Sequence, residues 1–137
     1  MYNFKIATNG FSDIVNISDE IDSIIAKAAI ETGSALIFVA GSTASITTIE
    51  YEPGAIQDLK DAIERIAPES AYYQHNERWQ DGNGFSHVRA ALLGSSFVAP
   101  FENRKLLTGT WQQIILIDFD NRPRERTIIV QLQGVNQ

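Results

Sequence analysis

The sequence contains no cysteine, which excludes a disulfide framework and thiolate chemistry. Any metal ion would have to be held by His, Asp, Glu or Asn side chains or by water. The lack of cysteine fits a cytoplasmic location, which we expect for this protein. Histidine is also scarce, with two in the whole chain. A site built on imidazole chemistry would therefore draw on these two residues.

Basic residues and long apolar runs are scarce as well. The chain has 11 Lys and Arg against 17 Asp and Glu, a formal net charge of -6. Non-specific nucleic-acid binding needs a basic face, so we expect no nucleic-acid partner. No segment approaches the roughly 20 apolar residues that cross a bilayer. Residues 1–17 also lack the basic start and apolar core of a signal peptide, so we expect no membrane partner.

The remaining composition is sufficient for one globular domain. The chain has 137 residues, of which 44% are hydrophobic. Domains commonly contain roughly 100–200 residues. A core of this size needs no disulfide or structural metal. We therefore predict a single domain over residues 1–137.

The first half of the chain alternates between strand and helix patterns. Residues 3–8 and 12–17 alternate loosely around Asn9-Gly10, which predicts a hairpin. The next segments are a helix from Ser18 to a stop at Gly33, a strand at 34–40 buried on both faces, a strand at 46–51, and a helix from Pro53 to Pro68.

The second half begins with a polar stretch, residues 69–83, which predicts a long irregular loop. The next predicted segment is a helix capped by Asp81 or Asn83 and stopped by Gly94. Three strands follow, at 95–101, 111–119 and 126–133, and the last two are predicted to form a hairpin. The resulting order, ββ-α-ββ-α-loop-α-βββ, groups strands together. It predicts an α+β (mixed α/β) fold with a largely antiparallel sheet and about three packed helices.

Several common functional motifs do not occur. The sequence has no GxGxxG, no GxxxxGK[ST] and no GxSxG pattern. It therefore gives no support to a dinucleotide-binding domain, a P-loop or an α/β-hydrolase.

The two histidines lie on either side of the third predicted helix start. His87 falls about one turn into that helix, and His75 lies in the preceding loop, which can fold back toward it. Two neighbouring imidazoles can bind a metal ion or share acid–base work near neutral pH. The alternative is two unrelated surface or capping histidines.

Two further polar groups lie near predicted strands. Ser42 and Thr43 follow a buried strand directly, where hydroxyls and free backbone N–H groups can hold phosphate. They can equally satisfy a strand connection. Glu50 and Glu52 share one face of the next strand. Facing inward, Glu50 would be a base or a metal ligand; facing outward, both would be solvated.

The C-terminal third adds a tryptophan and alternating arginines. Trp111, before Gln112, can stack on a flat ring or pack in a core or interface. Arg122, Arg124 and Arg126 alternate near a strand start, as in an anion clamp or in a solvated turn.

Two motifs occur together in this chain, NGxxHxxAxxxG at residues 83–94 and GTWQ at residues 109–112. With the segments described above, they resemble the YjbQ-like family of secondary thiamine-phosphate synthases, and the resemblance extends over nearly the whole chain. The other matching segments are Ser42-Thr43-Ala44 with Ile46-Thr47 and Glu50, His75, Pro100, Asp118-Phe119-Asp120 and Arg124-Glu125-Arg126.

The resemblance implies a compact α/β fold and a symmetric homotrimer. It implies an enzyme that joins hydroxymethylpyrimidine diphosphate to thiazole phosphate and releases pyrophosphate, so the partner would be a small phosphorylated metabolite. The pocket residues that it implies are Glu50, His75, Asn83, His87, Trp111 and Gln112. Members often carry His where this chain has Ser42.

We assign the candidate roles as follows. The candidate catalytic residues are His75, His87 and Glu50, and the candidate ligands of a divalent metal, Mg²⁺ or Zn²⁺, are His75 and His87. The candidate substrate-binding residues are Ser42, Thr43, Asn83, Trp111, Gln112 and Arg124. Two other functions compete with the enzyme: a non-enzymatic metal- or metabolite-binding trimer, and an interaction protein whose polar loop forms an interface.

Overall fold

Four helices and eight strands make up residues 1–136, the part of the chain that this computed structural model describes. The elements are β1 Tyr2–Thr8, β2 Asp13–Asn16, α1 Ser18–Ala26, β3 Thr32–Ala40, β4 Ala44–Ile49, α2 Pro53–Ile66, α3 Gln74–Trp79, α4 Gly84–Leu93, β5 Ser96–Glu102, β6 Lys105–Leu106, β7 Gln113–Asp118 and β8 Arg124–Val135. The predicted α+β fold is confirmed, and the strand pairs are antiparallel.

The strands form two sheets with a hydrophobic core between them. One sheet has the order β1-β8-β3-β5-β6 and the other β2-β7-β4. Helix α1 inserts Ile21 and Ile25 into the core between the sheets. On the other face of the smaller sheet, α2 and α4 cover a second core that includes Ile63 and Ala90. Strand β7 is buried on both faces because it lies between these two cores.

The predicted N-terminal hairpin is wrong. Strand β1 pairs with β8, whereas β2 pairs with β7 in the other sheet. The connection contains three successive residues of positive φ, Gly10 (73°), Phe11 (53°) and Ser12 (63°). This backbone leads the chain from one sheet to the other instead of reversing it. The predicted C-terminal hairpin is wrong for the same reason, since β7 and β8 also belong to different sheets.

The region from α1 to β3 also differs from the prediction. Helix α1 ends at Ala26, and Gly33 lies within β3, not at a helix end. A Cβ atom on Gly33 would lie 2.0 Å from the carbonyl oxygen of Gln133, so the glycine allows two strands to approach closely. Strand β3 is buried at alternate residues only, and Phe38 on its other face is 37% exposed.

The polar stretch at 69–83 contains a helix, α3, where we expected only a loop. Its six residues are too few to show a hydrophobic period, and tertiary contacts hold it in place. The predicted helices around it are confirmed: α2 begins at Pro53, and α4 extends from Gly84 to the C-cap Gly94. Within the described chain, no helix combines the length and apolar character that a membrane span requires.

Candidate functional site

An open polar cleft of about 360 Å³ lies where α3, the start of α4 and the start of β8 meet the β3–β4 connection. Its lining residues are Gly41, Ser42, Thr43, His75, Trp79, Asp81, Asn83, His87, Arg124 and Arg126. Six of these ten, Ser42, Thr43, His75, Asn83, His87 and Arg124, are residues to which the sequence assigned a role.

The imidazole rings of His75 and His87 lie against each other in this cleft. Their centroids are 4.3 Å apart, and the ring planes are inclined by 37°. Helix α3 reaches α4 through Asn76, whose Oδ1 accepts a hydrogen bond from the Gly84 N–H at 2.9 Å. A Cβ on Gly84 would lie 2.6 Å from the Cβ of Tyr73, so the close docking of the helices requires glycine there. This docking places the two histidines together.

Asp81 is the carboxylate nearest to His75. The distance from its Oδ1 to His75 Nδ1 is 3.5 Å, which is an ion pair when His75 is protonated. His75 Nδ1 is buried and has no hydrogen-bond partner among residues 1–136. A small shift of Asp81 would supply that partner and would fix the orientation of the ring.

The environment of His87 favours its neutral form. Burial lowers the pKa of His87 below its ordinary value of 6.5, and the neighbouring His75 lowers it further. The carboxylates of Asp120 and Asp81 act in the opposite direction without reversing the shift. A neutral imidazole at physiological pH can accept a proton from a bound molecule.

Asp120 joins three parts of the cleft wall. Its Oδ1 accepts from Asn83 Nδ2 at 3.2 Å, and its Oδ2 accepts from Thr43 Oγ1 at 3.1 Å and from Arg124 Nε at 2.9 Å. Burial by itself would raise the pKa of Asp120, but the hydrogen bonds from Asn83, Arg124, the Asn121 N–H and Thr43 outweigh it and lower the value to about 2. The group is therefore an ionised anchor at neutral pH.

Arg126 forms the corresponding buried ion pair with Asp118. Its Nε and Nη2 donate to the two carboxylate oxygens at 2.7 and 2.8 Å, and Nη2 also donates to Thr43 Oγ1 at 2.6 Å. The backbone at Gly41 has a φ of 145°, and a Cβ there would lie 2.7 Å from Arg126 Nη1. The guanidinium thus packs directly over Gly41.

A less polar hollow of about 360 Å³ adjoins the polar cleft and shares Gly41, Ser42 and His87 with it. Its other lining residues are Ala44, Ala90, Ala91, Gly94 and Ser95. His87 therefore lies between a polar compartment and one lined by small side chains.

Glu50, Trp111 and Gln112 lie outside the cleft in the single chain. Ala44 pairs with Asp118 at the cleft end of the smaller sheet, whereas Ile49 pairs with Gln113 at the other end. A strand rises roughly 3.3 Å per residue, so the two ends are about 17 Å apart. Glu50 is exposed, and Trp111 is 70% exposed. Their assigned roles stay predictions.

Five cleft or anchor residues were not among the candidates: Gly41, Trp79, Asp81, Asp118 and Asp120. Arg126 appeared in the sequence only as part of an alternating arginine run. The available signal was the spacing, because Asp118 and Asp120, like Arg124 and Arg126, are two residues apart. Residues at this spacing lie on one side of an extended segment, which predicts that they act together but not which residues they contact.

The donor set of the cleft gives limited support to the predicted metal. Within residues 1–136, no three His, Asp or Glu side chains are grouped so as to hold a metal ion. Two imidazoles suit Zn²⁺ better than Mg²⁺, which prefers oxygen ligands. A complete site would need further ligands from water, a bound molecule or another chain, and the metal stays a prediction.

Comparisons with known proteins agree over most of the chain. The family described as "UPF0047 protein YjbQ-like" matches residues 2–135. A UPF0047 protein of Archaeoglobus fulgidus is 33% identical over 119 residues, covering 87% of this chain and 90% of the relative. The UPF0047 protein YugU of Bacillus subtilis is 30% identical over 132 residues, covering 95% of this chain and 96% of the relative.

Solved structures show the same fold. A YbjQ-like protein of unknown function from Sulfolobus solfataricus superposes with a TM-score of 0.88 at 36% identity, covering 97% of this chain and 96% of that chain. A YjbQ/UPF0047 protein from Clostridium acetobutylicum also gives a TM-score of 0.88, at 28% identity, with 97% and 100% covered. The match over residues 2–135 and the shared fold agree with the sequence motifs, and the chain belongs to the YjbQ-like (UPF0047) family.

Proposed function

We propose that the cleft is the active site of an enzyme that acts on a small phosphorylated metabolite, of the secondary thiamine-phosphate synthase type. The observation that carries the proposal is the ring-to-ring packing of His75 and His87, at 4.3 Å, in a cleft that Arg124 also lines. The cleft thus combines two imidazoles that can transfer a proton with a guanidinium that can bind an anion.

The proposed reaction joins two phosphorylated heterocycles. The thiazole nitrogen forms a bond to the methylene carbon of the pyrimidine while the bond from that carbon to the diphosphate oxygen breaks. The bonding electrons leave with the pyrophosphate. The imidazoles of His75 and His87 would transfer a proton to or from the diphosphate, and Arg124 would hold a phosphate oxygen. A divalent metal, when bound, would neutralise the diphosphate.

The test measures pyrophosphate release from hydroxymethylpyrimidine diphosphate and thiazole phosphate. We expect His75→Ala and His87→Ala each to lower turnover by about 100-fold or more, the usual range of a general acid or base. Gln74→Ala, an exposed change on the same helix as His75, is the matched control and should keep the wild-type rate. Wild-type rates in both histidine variants would remove the pair from the mechanism.

A second candidate function is non-enzymatic binding of a metabolite or metal. It is favoured by the charge balance of the cleft, because Asp120 and Asp118 already neutralise Arg124 and Arg126. A leaving diphosphate would meet little net positive charge there. Calorimetry with the two precursors and with Zn²⁺ separates the candidates: tight binding without product would favour a binding protein.

The homotrimer that the resemblance implies offers a role for the residues outside the cleft. A neighbouring chain would bring Glu50, Trp111 and Gln112 to the open side of the site. Sedimentation of the wild-type protein tests the trimer. Mixing Trp111→Ala chains with His87→Ala chains tests the shared site, since mixed trimers should recover activity that neither parent has.

A further inference from the structure

The two cleft arginines present the same edge to buried carboxylates. Arg124 directs Nε and Nη2 to Asp120 at 2.9 and 2.7 Å, and Arg126 directs Nε and Nη2 to Asp118. The remaining nitrogen of each guanidinium, Nη1, has no hydrogen-bond acceptor within residues 1–136. Each Nη1 carries two N–H donors.

Arg126 is the more restricted of the two. Its side chain is only 8% exposed and is fixed by Asp118 and Thr43. Its Nη1 lies against Gly41, which lines the cleft and has no side chain to cover it. Arg126 lines the cleft, and its Nη1 donors are open to it, so a bound anion can accept charge-assisted hydrogen bonds from them in place of water.

We propose that Arg126, together with Arg124, forms a subsite for a phosphate group, in which the two Nη1 groups donate to different phosphate oxygens. Arg124 and Arg126 are two residues apart and extend from one side of the start of β8. Two donors from separate guanidinium groups suit the spread oxygens of a phosphate. A carboxylate offers only two oxygens to these four N–H donors, whereas a phosphate offers up to four.

The balance of charge determines how strongly this subsite binds. Asp118 and Asp120 cancel the two guanidinium charges, so an anion is held by directed N–H groups and not by a net positive field. Binding should therefore depend on the geometry of Nη1 more than on the total charge of the protein. The anchoring carboxylates also hold the donors in place before the anion arrives, which reduces the entropy lost on binding.

The proposal deepens the proposed function, because it states which groups would hold the phosphate of the metabolite. Its test is independent of turnover. Inorganic phosphate is titrated into the protein by calorimetry, and the arginine side-chain N–H signals are followed by NMR. We expect saturable binding, selective movement of the Arg124 and Arg126 signals, and weaker binding of acetate.

Variants distinguish directed donors from bulk charge. Arg124→Gln and Arg126→Lys should weaken phosphate binding about tenfold or more, the cost of a charge-assisted hydrogen bond. Arg122→Gln makes the same charge change as Arg124→Gln at an exposed position outside the cleft, and it should bind as the wild type does. Gly41→Ala keeps all arginines but crowds Nη1 and strains a backbone with a φ of 145°, so it should also weaken binding.

The outcomes separate this inference from the proposed function. Phosphate binding that depends on Arg124 and Gly41, without synthase turnover, supports the subsite and rejects the proposed reaction. Turnover without saturable phosphate binding overturns the subsite. Equal weakening by Arg122→Gln and Arg124→Gln also overturns it, because bulk charge alone would then explain the binding. If Arg126→Lys does not fold, the Arg126 signals in the wild type and the Gly41→Ala titration decide.

Discussion

His75 and His87 come from different helices, yet their ring centroids lie 4.3 Å apart. At this separation a proton on one imidazole opposes a proton on the other. The imidazole of His75 therefore disfavours the protonated form of His87 and lowers its pKa.

The pKa of His87 should rise when His75 is removed. In His75→Ala, water gains access to His87 and the neighbouring imidazole is lost, and both changes move its pKa up toward 6.5. Asp81→Asn should lower the pKa, because Asp81 supports the protonated form. NMR titration of the His87 ring measures both changes. An unchanged or lower value in His75→Ala would contradict the assigned causes.

The same shift makes stability depend on pH. Because folding lowers the pKa of His87, the unfolded chain takes up a proton first as the pH falls. The free energy of unfolding should decrease as the pH falls through about 6.5 toward the folded-state value. Urea unfolding at several pH values checks this, and His87→Gln should reduce the slope in that window. An equally steep slope in His87→Gln would assign the effect to other groups.

Asp120 should stabilise the fold at neutral pH, and this contribution should be lost in strong acid. Its pKa is lowered from 3.8 to about 2, so its stabilisation is present above about 3.8 and is lost as the pH falls toward 2. Asp120→Asn should cost on the order of 2 kcal/mol at neutral pH. Asp58→Asn, an exposed carboxylate on α2, is the control and should change stability little. Equal losses in the two variants would argue against a special role for Asp120.

Arg89 should stabilise the helix that carries His87. Arg89 is 5% exposed and donates to the carbonyl oxygen of Ala67 at 2.9 Å, to Ser12 Oγ at 3.1 Å and to Glu64. Arg89→Gln should cost about 3 kcal/mol, because it leaves buried acceptors without partners.

The matched control for Arg89 is the exposed Arg65→Gln on α2, which should change the free energy of unfolding by less than about 1 kcal/mol. Denaturant unfolding of the two variants makes the comparison. A loss in Arg89→Gln as small as that in Arg65→Gln would show that water replaces the buried contacts.

Ser42→His should raise the affinity of the cleft for Zn²⁺. Ser42 lines the cleft with His75 and His87, so the change places a third imidazole beside the existing pair. Three imidazoles suit Zn²⁺, and we expect its affinity to rise about tenfold or more. Calorimetry measures the affinity, and adding His87→Ala to Ser42→His should abolish the gain. A Zn²⁺ affinity equal to that of the wild type would show that the three rings do not converge.

The sequence by itself determined most of the element types, the cysteine-free donor set and the family. Helical spacing and Pro53 predicted α2, and Gly94 predicted the end of α4, because these signals act between residues close in the chain. The motif at residues 83–94 carried the resemblance, and it contains His87. The sequence also shows that Asp118 and Asp120, like Arg124 and Arg126, are two residues apart, but it does not show which acid pairs with which arginine.

Only the tertiary structure decided which strands pair and which polar residues meet. Alternation of apolar and polar residues predicts that a strand has one buried face, but it does not identify the partner strand. Strands β1 and β2 show similar alternation, yet they belong to different sheets. The docking of α3 on α4, which unites His75 with His87, depends on the contact of Asn76 with Gly84 across eight residues. Glu50 and Trp111 lie beyond the end of the smaller sheet that is about 17 Å from the cleft end, because strand length, not motif membership, determines their position. Signals between neighbouring residues determine helix ends and strand patterns. Contacts between distant residues depend instead on how the two hydrophobic cores pack on the two faces of β7.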